Sequence, residues 1–365
     1  MSPRPASPAR ERAAGGEILS TARARGAAPP PPDALDSATL RLLEGAARLE
    51  KHPLARLITV VEQEGEGGRA RRAALFRHLH THRADFPLHA RVIGMTGTPG
   101  SGKSTLIGRL ALELLRSGPS VRVAVLAIDP SSAESGGALL GDRIRTHFPV
   151  GEPRIFFRSQ ATQGDLGGVG RRTFAVTRLL RRLFDFVFVE TVGIGQSEVE
   201  ISALADATVL VLQPLAGDHI QFLKAGVMEV PDIFVINKCD EAKLARRSAH
   251  ELRAALECAR IGRPRGAAAH HVFQTSALNG TGVPELAAFL REAVRPADAA
   301  ALRRRERHFL ARAVAERYGR FGVEELERML AARAHERSDG ASYEELEAAA
   351  LDAIRARIAP SETAT

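Results

Sequence analysis

The stretch that most restricts how this chain can fold is RVIGMTGTPGSGKST, Arg91 to Thr105. The apolar run Val92 to Met95 leads into Gly97, then four residues, then Gly102, Lys103 and Ser104, which satisfies the phosphate-binding pattern G-x-x-x-x-G-K-[ST] at every position. The pattern demands a strand, a tight loop and a helix in that order. Glycines at 97, 100 and 102, with Thr98, Pro99 and Ser101 between them, let backbone N–H groups converge on one anion. The helix that follows adds the positive end of its dipole. Lys103 is expected to hold the outer phosphates, Ser104 to offer its hydroxyl to Mg²⁺, and Thr105 to complete the cradle.

Downstream of this loop, apolar β-branched runs alternate with helical stretches: Val121 to Ile128, Ile155 to Phe157, Phe186 to Val189, Thr208 to Leu212, Ile233 to Ile236 and Val272 to Thr275. Strands apolar on both faces and separated by helices predict an α/β fold with a mainly parallel sheet covered on both sides. Ligands of such sheets collect at the carboxyl ends of the strands, and the remaining polar motifs fall there. Phe186 to Val189 ends in Glu190-Thr191-Val192-Gly193, where a phosphate-binding NTPase places an acid near the metal and a glycine N–H near the γ-phosphate. Ile233 to Ile236 ends in Asn237-Lys238-Cys239-Asp240, which fits N-K-x-D. A carboxylate at Asp240 can accept from both N1–H and the 2-amino group of guanine, whereas adenine turns a lone pair toward it, so the motif selects GTP and GDP. Ser276, Ala277 and Leu278, after the last strand, are expected to supply a second base contact through backbone N–H. Asp129 and Asp142 are candidates for Mg²⁺ or its water shell, with a helix cap as the alternative for an acid just after a strand. Gln196 is either a water-positioning or a structural residue. His219, His270 and His271 lack partners at metal-ligand spacing and read as solvated.

Composition sets the surroundings. The 365 residues are 44% apolar, enough for a sizeable core. No run approaches the roughly 18 apolar residues that span a bilayer, and no secretory leader is visible, so no membrane role is expected. Cys239 and Cys258 form no framework and no zinc pattern, which suits a reducing, cytoplasmic setting. The net charge of +8 favours polyanionic ligands or an acidic partner surface. Arg303 to Arg305 reads as a solvated or interface face rather than a nucleic-acid patch.

The expected organisation is a proline-rich disordered tail over 1–36, a helical N-terminal extension over 37–86, a P-loop GTPase domain over 87–296, a helical C-terminal dimerisation arm over 297–359 and a short tail over 360–365. Gly65 to Gly68 is expected to break the second helix from the third. The proline run Pro29 to Pro32 argues against a transit peptide.

Taken together, PLARLITVVE (Pro53 to Glu62), GTPGSGKST, AIDPSS with GGALLGDRIR (Ala127 to Arg145), LGGVGRRT (Leu166 to Thr173), VETVGIGQSE (Val189 to Glu198), AGDHIQFLKAG (Ala216 to Gly226) and NKCD resemble the MeaB/MMAA-type (ArgK) GTPases. These serve adenosylcobalamin-dependent acyl-CoA mutases such as methylmalonyl-CoA mutase. The resemblance runs from about Leu40 to about Ala359. It implies a partner-stimulated GTPase of low intrinsic rate that gates cofactor loading and protection of such a mutase, with an adenosyltransferase as a further partner and a homodimer as its state. It also implies that Asp129, Asp142 and Glu190 shape the Mg²⁺ and hydrolysis centre with Lys103 and Ser104, and that Asp218, Gln221 and Lys224 lie on a switch loop. Three features depart from the family pattern: His219 where an acid is usual, no tryptophan in the C-terminal arm, and a looser SQATQGD (Ser159 to Asp165). A nickel-insertion GTPase would need a His-rich tract or paired cysteines, and a targeting GTPase an RNA-binding module.

Overall fold

Each of the apolar runs named above becomes a strand, because residues buried on both faces have no polar side to present to water. The computed structural model describes residues 35–129, 151–161, 169–191, 197–214, 231–260, 270–335 and 342–358. Within them, three helices, α1 (Ser37–Ala47), α2 (Lys51–Glu62) and α3 (Gly65–Thr81), precede β1 (Arg91–Gly97) and α4 (Lys103–Arg116). There follow β2 (Val123–Asp129), β3 (Ile155–Ala161), α5 (Arg171–Leu180), β4 (Phe186–Glu190), α6 (Ser197–Leu204), β5 (Ala207–Leu212), β6 (Ile233–Ile236), α7 (Ala242–Arg260), β7 (His271–Gln274) and α8 (Val283–Glu292). Two helices, α9 (Ala299–His335) and α10 (Tyr343–Ile358), close the described chain. The sheet order is β3-β2-β4-β1-β5-β6-β7, and every pair is parallel. The chain therefore leaves β1 toward one edge and, after β4, crosses to the other side of β1. A crevice opens at the carboxyl end of β1, where the winding reverses.

Alternate residues of each strand feed opposite layers. Ile93, Met95, Val125, Phe188 and Val209 meet Leu106, Leu110 and Leu114 of α4 and Leu286 and Leu290 of α8. Val92, Leu126, Val187 and Val189 face the other way, into a layer built from both ends of the chain: Leu57, Ile58 and Leu75 from the first helices, Phe174 and Ile201 from α5 and α6, and Phe309, Val314, Tyr343 and Ile354 from the last two. The C-terminal helices thus pack their apolar faces on the core. Helix α9 is interrupted at Gly319, whose φ of 59° and ψ of −153° suit glycine alone. The break between α2 and α3 falls at Gln63–Glu64 rather than at the glycines. Gly65, at φ 80°, begins α3, and a Cβ on Gly68 would lie 2.6 Å from the Gln63 carbonyl, so glycine here permits a close turn instead of ending a helix.

One buried carboxylate ties the layers. Asp206, whose side chain is 1% exposed, accepts from the Val92 N–H at the start of β1, from both terminal nitrogens of Arg181 at 2.9 and 3.0 Å, from Arg305 on α9 at 2.7 Å and from the Ala297 N–H. Arg305 therefore leaves the basic cluster for the interior, while Arg303 and Arg304 stay exposed. A buried charge holds when its partners satisfy its lone pairs, and removing one member leaves the others uncompensated. Asp206→Ala is expected to lower unfolding stability by about 3–5 kcal/mol, because Arg181 and Arg305 then face each other without a counter-ion. Arg305→Ala, which leaves the Arg181 pair intact, is expected to cost less than half as much. Urea denaturation of the two variants measures the difference.

Candidate functional site

Glycine geometry shapes the phosphate loop. Gly97 sits at φ 146°, and a Cβ there would lie 2.1 Å from the Val211 carbonyl of β5, so only glycine lets the loop leave β1 beside that strand. Gly100 and Gly102 also lie in the left-handed region, at φ 77° and 85°. Gly102 is the N-cap of α4 and supplies no side-chain cap, so the first N–H groups of that helix remain available to an anion. A cavity of about 450 Å³ opens in front of it, lined by Pro99, Gly100, Gly102, Lys103, Ser104, Thr105, Ile128, Glu190, Thr191 and Lys238. That is a volume suited to a small-molecule ligand.

Lys103 is buried, and its ammonium donates back to the Gly97 carbonyl at 2.9 Å and the Thr98 carbonyl at 3.1 Å. The Ser104 hydroxyl donates to Glu190 Oε1 at 2.6 Å. Glu190 is 6% exposed at the end of β4, placed there by the pairing of Met95 with Glu190 across β1 and β4. A hydroxyl and a carboxylate side by side at a strand end form a hard-oxygen pair of the kind Mg²⁺ prefers. Asp129 is the last residue of β2, two positions beyond the Ala127–Glu190 pair. Its backbone therefore ends at the same rim. Asp142, Gly193, Gln196, Asp218, His219, Gln221 and Lys224 lie outside the described residues.

The N-K-x-D side of the rim is built round Asn237, 1% exposed just after β6. Its side-chain amide donates to the Ser101 carbonyl at 2.9 Å, and its oxygen accepts from Thr275 Oγ1 and from the Ala277 N–H, both at 3.1 Å. Asn237 thus fastens the phosphate loop to the loop after β7. Lys238 adopts a left-handed φ of 59° and reaches Gln213 Oε1 at 3.4 Å. Asp240 is exposed, and it accepts a hydrogen bond from the Ser276 hydroxyl. The Ser276 N–H is engaged with the Thr281 carbonyl and the Ala277 N–H with Asn237, so of the three residues expected to offer backbone donors, Leu278 keeps its N–H outside the internal bonding. Leu278 is also 76% exposed. Burial, with the Asp240 charge adding to it, pushes the Cys239 thiol up, and the thiol donates to the Ile236 carbonyl. It is a packed neutral group.

Sequence reasoning missed three contributors. Thr275 and Gln213 are polar residues just after strands, which carry no motif of their own. Arg109 projects from α4, and its Nε and Nη2 donate to the Ala277 and Leu278 carbonyls at 2.9 Å each. An arginine on an exposed helical face gives no sequence signal of that contact. His270 packs against Phe234 and His271 against Phe289, and among the described residues no three His, Cys, Asp or Glu side chains gather as a metal site. No helix among them is long and apolar enough to cross a membrane.

Comparison with known proteins agrees with the geometry. Residues 54–321 match the family model described as methylmalonyl Co-A mutase-associated GTPase MeaB. A putative GTPase of Pyrococcus abyssi is 45% identical over 203 residues, 55% of this chain and 59% of that protein. The mouse mitochondrial methylmalonic aciduria type A homolog is 36% identical over 266 residues, 69% of this chain and 62% of that protein. The chain therefore spans about three-fifths of the length of these curated relatives. Among solved structures, one described as an LAO/AO transport system kinase aligns with a TM-score of 0.54 at 22% identity, covering 88% of this chain and 98% of that one, which supports the fold.

If Asn237 fastens the loops as described, Asn237→Ala should leave the Thr275 hydroxyl, the Ala277 N–H and the Ser101 carbonyl unpaired in a buried place. The expected loss is about 2–3 kcal/mol of stability, accompanied by faster amide exchange at residues 275–278, read by hydrogen-exchange mass spectrometry.

Proposed function

The chain belongs to the MeaB family of methylmalonyl-CoA mutase-associated GTPases, and from that premise we propose that it binds and hydrolyses GTP to gate cofactor loading and protection of an adenosylcobalamin-dependent acyl-CoA mutase. The observation that carries the reading is the convergence, on one rim of the sheet, of the phosphate loop, the Ser104–Glu190 pair and the Asp240–Ser276 pair. The guanine base lies against Lys238 and the Leu278 edge, with Asp240 accepting from N1–H and the 2-amino group. The phosphates lie across Gly97 to Thr105, where Lys103 exchanges its loop carbonyls for phosphate oxygens. Asp129, Asp142 and Glu190 with Ser104 would hold Mg²⁺ or its waters, and Gly193 would meet the γ-phosphate. Bound Mg²⁺ supplies neutralisation of charge on the phosphate oxygens. Glu190 positions the Ser104 hydroxyl, and the loop backbone fixes the phosphate for in-line attack by water.

Stimulation by the mutase acts through Asp218, Gln221 and Lys224, an assignment that rests on sequence. A partner shifts such a loop only by binding one of its positions more tightly. An adenosyltransferase would hand over the cofactor, and a homodimer would form through the C-terminal helices, where Phe321 and Ile358 are exposed at 42% and 55%.

Two outcomes are expected. The protein binds GTP and GDP on the order of a hundredfold or more tighter than ATP, and Asp240→Asn moves the preference to xanthine nucleotides, because an amide N–H then faces an oxygen. Competition binding checks both, and equal affinity for ATP and GTP would end the guanine reading. GTP turnover should rise on addition of methylmalonyl-CoA mutase. Gln221→Ala and Lys224→Ala should keep the basal rate and lose most of that rise, a coupling on the order of 1–3 kcal/mol.

A further inference from the structure

The loop after β7 hangs from α4 by one side chain. Arg109 lies six residues beyond Lys103 on the helix that opens the phosphate site, and its guanidinium grips two successive carbonyls, Ala277 and Leu278, at 2.9 Å each. A planar trans peptide points its C=O and its N–H in opposite directions. Holding the Leu278 oxygen on the α4 side therefore turns the Asn279 N–H, in the same peptide, away from α4. That N–H donates to Ser276 Oγ at 3.2 Å. Ser276, fully buried, in turn donates its hydroxyl proton to Asp240 Oδ1. The links form one unbroken run: Arg109, the 278–279 peptide, the Ser276 hydroxyl, the Asp240 carboxylate. Each bond polarises the next, so such chains act together.

We propose that Arg109 is a positioning residue for base recognition, setting the orientation of Asp240 through the 278–279 peptide and Ser276. The proposal rests on the reading that Asp240 accepts from guanine. Asp240 itself is exposed, so without the Ser276 hydroxyl its carboxylate is free to rotate about its own side-chain bonds. A rotated carboxylate presents one oxygen to the base instead of two. The 2-amino contact is then lost before the phosphate contacts are touched. Arginine suits this role because the donors of its planar guanidinium are fixed relative to one another and so hold the two carbonyls in one geometry, whereas the donors of an ammonium rotate on a flexible stem. The same arrangement makes the helix that carries Lys103 and Ser104 the support of the base loop, so phosphate and base are read from one rigid element.

The test compares GDP with IDP, which lacks the 2-amino group, by calorimetric titration of the full chain. In the wild type GDP binds more tightly. Arg109→Ala is expected to lower the GDP-to-IDP affinity ratio about fivefold, and Arg109→Lys to lower it nearly as much. Asp240→Ala should bring the ratio to about one, and adding Arg109→Ala to it should leave the ratio unchanged. Equal weakening of both nucleotides by Arg109→Ala would make the contact merely structural and overturn the proposal, as would an unchanged ratio or full rescue by lysine. A wild-type protein that binds GDP and ADP equally would instead show that the guanine reading had failed, and the proposal with it. Arg109 is exposed on a helix, and alanine is the best helix former, so the variant retains the fold.

Discussion

The site depends on the way Asn237 uses its amide. Buried at the end of β6, it holds the Ser101 carbonyl with one end and Thr275 and Ala277 with the other. Three segments far apart in sequence are thereby held within one side chain's reach. A shorter residue could not bridge them, and an aspartate would set a charge against the Ser101 carbonyl. The geometry also explains why Gly102 must be glycine, since a Cβ there would lie 2.6 Å from the Asn237 amide nitrogen. The phosphate loop and the N-K-x-D motif are thus sterically matched.

Around this rim the chain wraps itself from both ends. Arg72 of α3 and Arg171 of α5 share Glu347 of α10, while Arg178 of α5 meets Glu344 of α10 at 2.5 Å and Glu306 of α9 at 3.5 Å. Arg178 also lies 4.1 Å above the Phe76 ring. Burial opposes its charge, yet Glu344 and Glu306 beside it raise its pKa. Ion pairs of this kind add little net stability over an apolar core but penalise any arrangement that leaves a partner behind. They specify which faces of the first and last helices meet. The C-terminal helices are therefore part of the layer that buries Val187 and Val189 of the inner strand β4, and any dimer contact uses what remains outside that layer.

Much of this was legible in the sequence because it is local. The phosphate loop, the strand-end acids and N-K-x-D each sit within a few residues, and the apolar runs fix a parallel sheet through burial alone. Ile233 to Ile236 is unchanged, while the other strand limits shifted by one to four residues: the strand from Ile155 continues to Ala161, where half-buried positions of an edge strand mix polar with apolar residues. What the sequence hid is long-range and polar. Asp206 reads as one acid before a strand, Arg305 as one of three surface arginines, and Arg109 as an exposed helical position. Each acquires its meaning from a partner 25 to 169 positions away. N-K-x-D marks Asn237 for a nucleotide site, and in the structure its side chain bonds to the protein segments that flank that site. A motif records that a residue is needed and leaves open whether the need is for binding or for holding the binder.

The phosphate pocket is shaped in advance, yet its cation is already satisfied. Lys103 donates to two carbonyls of its own loop, and Ser104 to Glu190. On the proposed function a triphosphate with its metal would enter by exchange: the Lys103 ammonium would give up neutral carbonyls for charged oxygens, and the Ser104 hydroxyl would turn from the Glu190 carboxylate toward the ion. Exchange yields only the difference between the old and new bonds, commonly a kcal/mol or so for each, with charged acceptors favoured over neutral ones. The phosphate end alone would thus discriminate poorly among nucleoside triphosphates, all of which bring the same oxygens. Discrimination would then have to come from the base, at the end where Asp240 is held by the buried Ser276 hydroxyl and the loop bearing that serine is fastened to both Asn237 and α4. On that reading the selectivity of the pocket would come from the stiffness of that far end more than from any contact to phosphate.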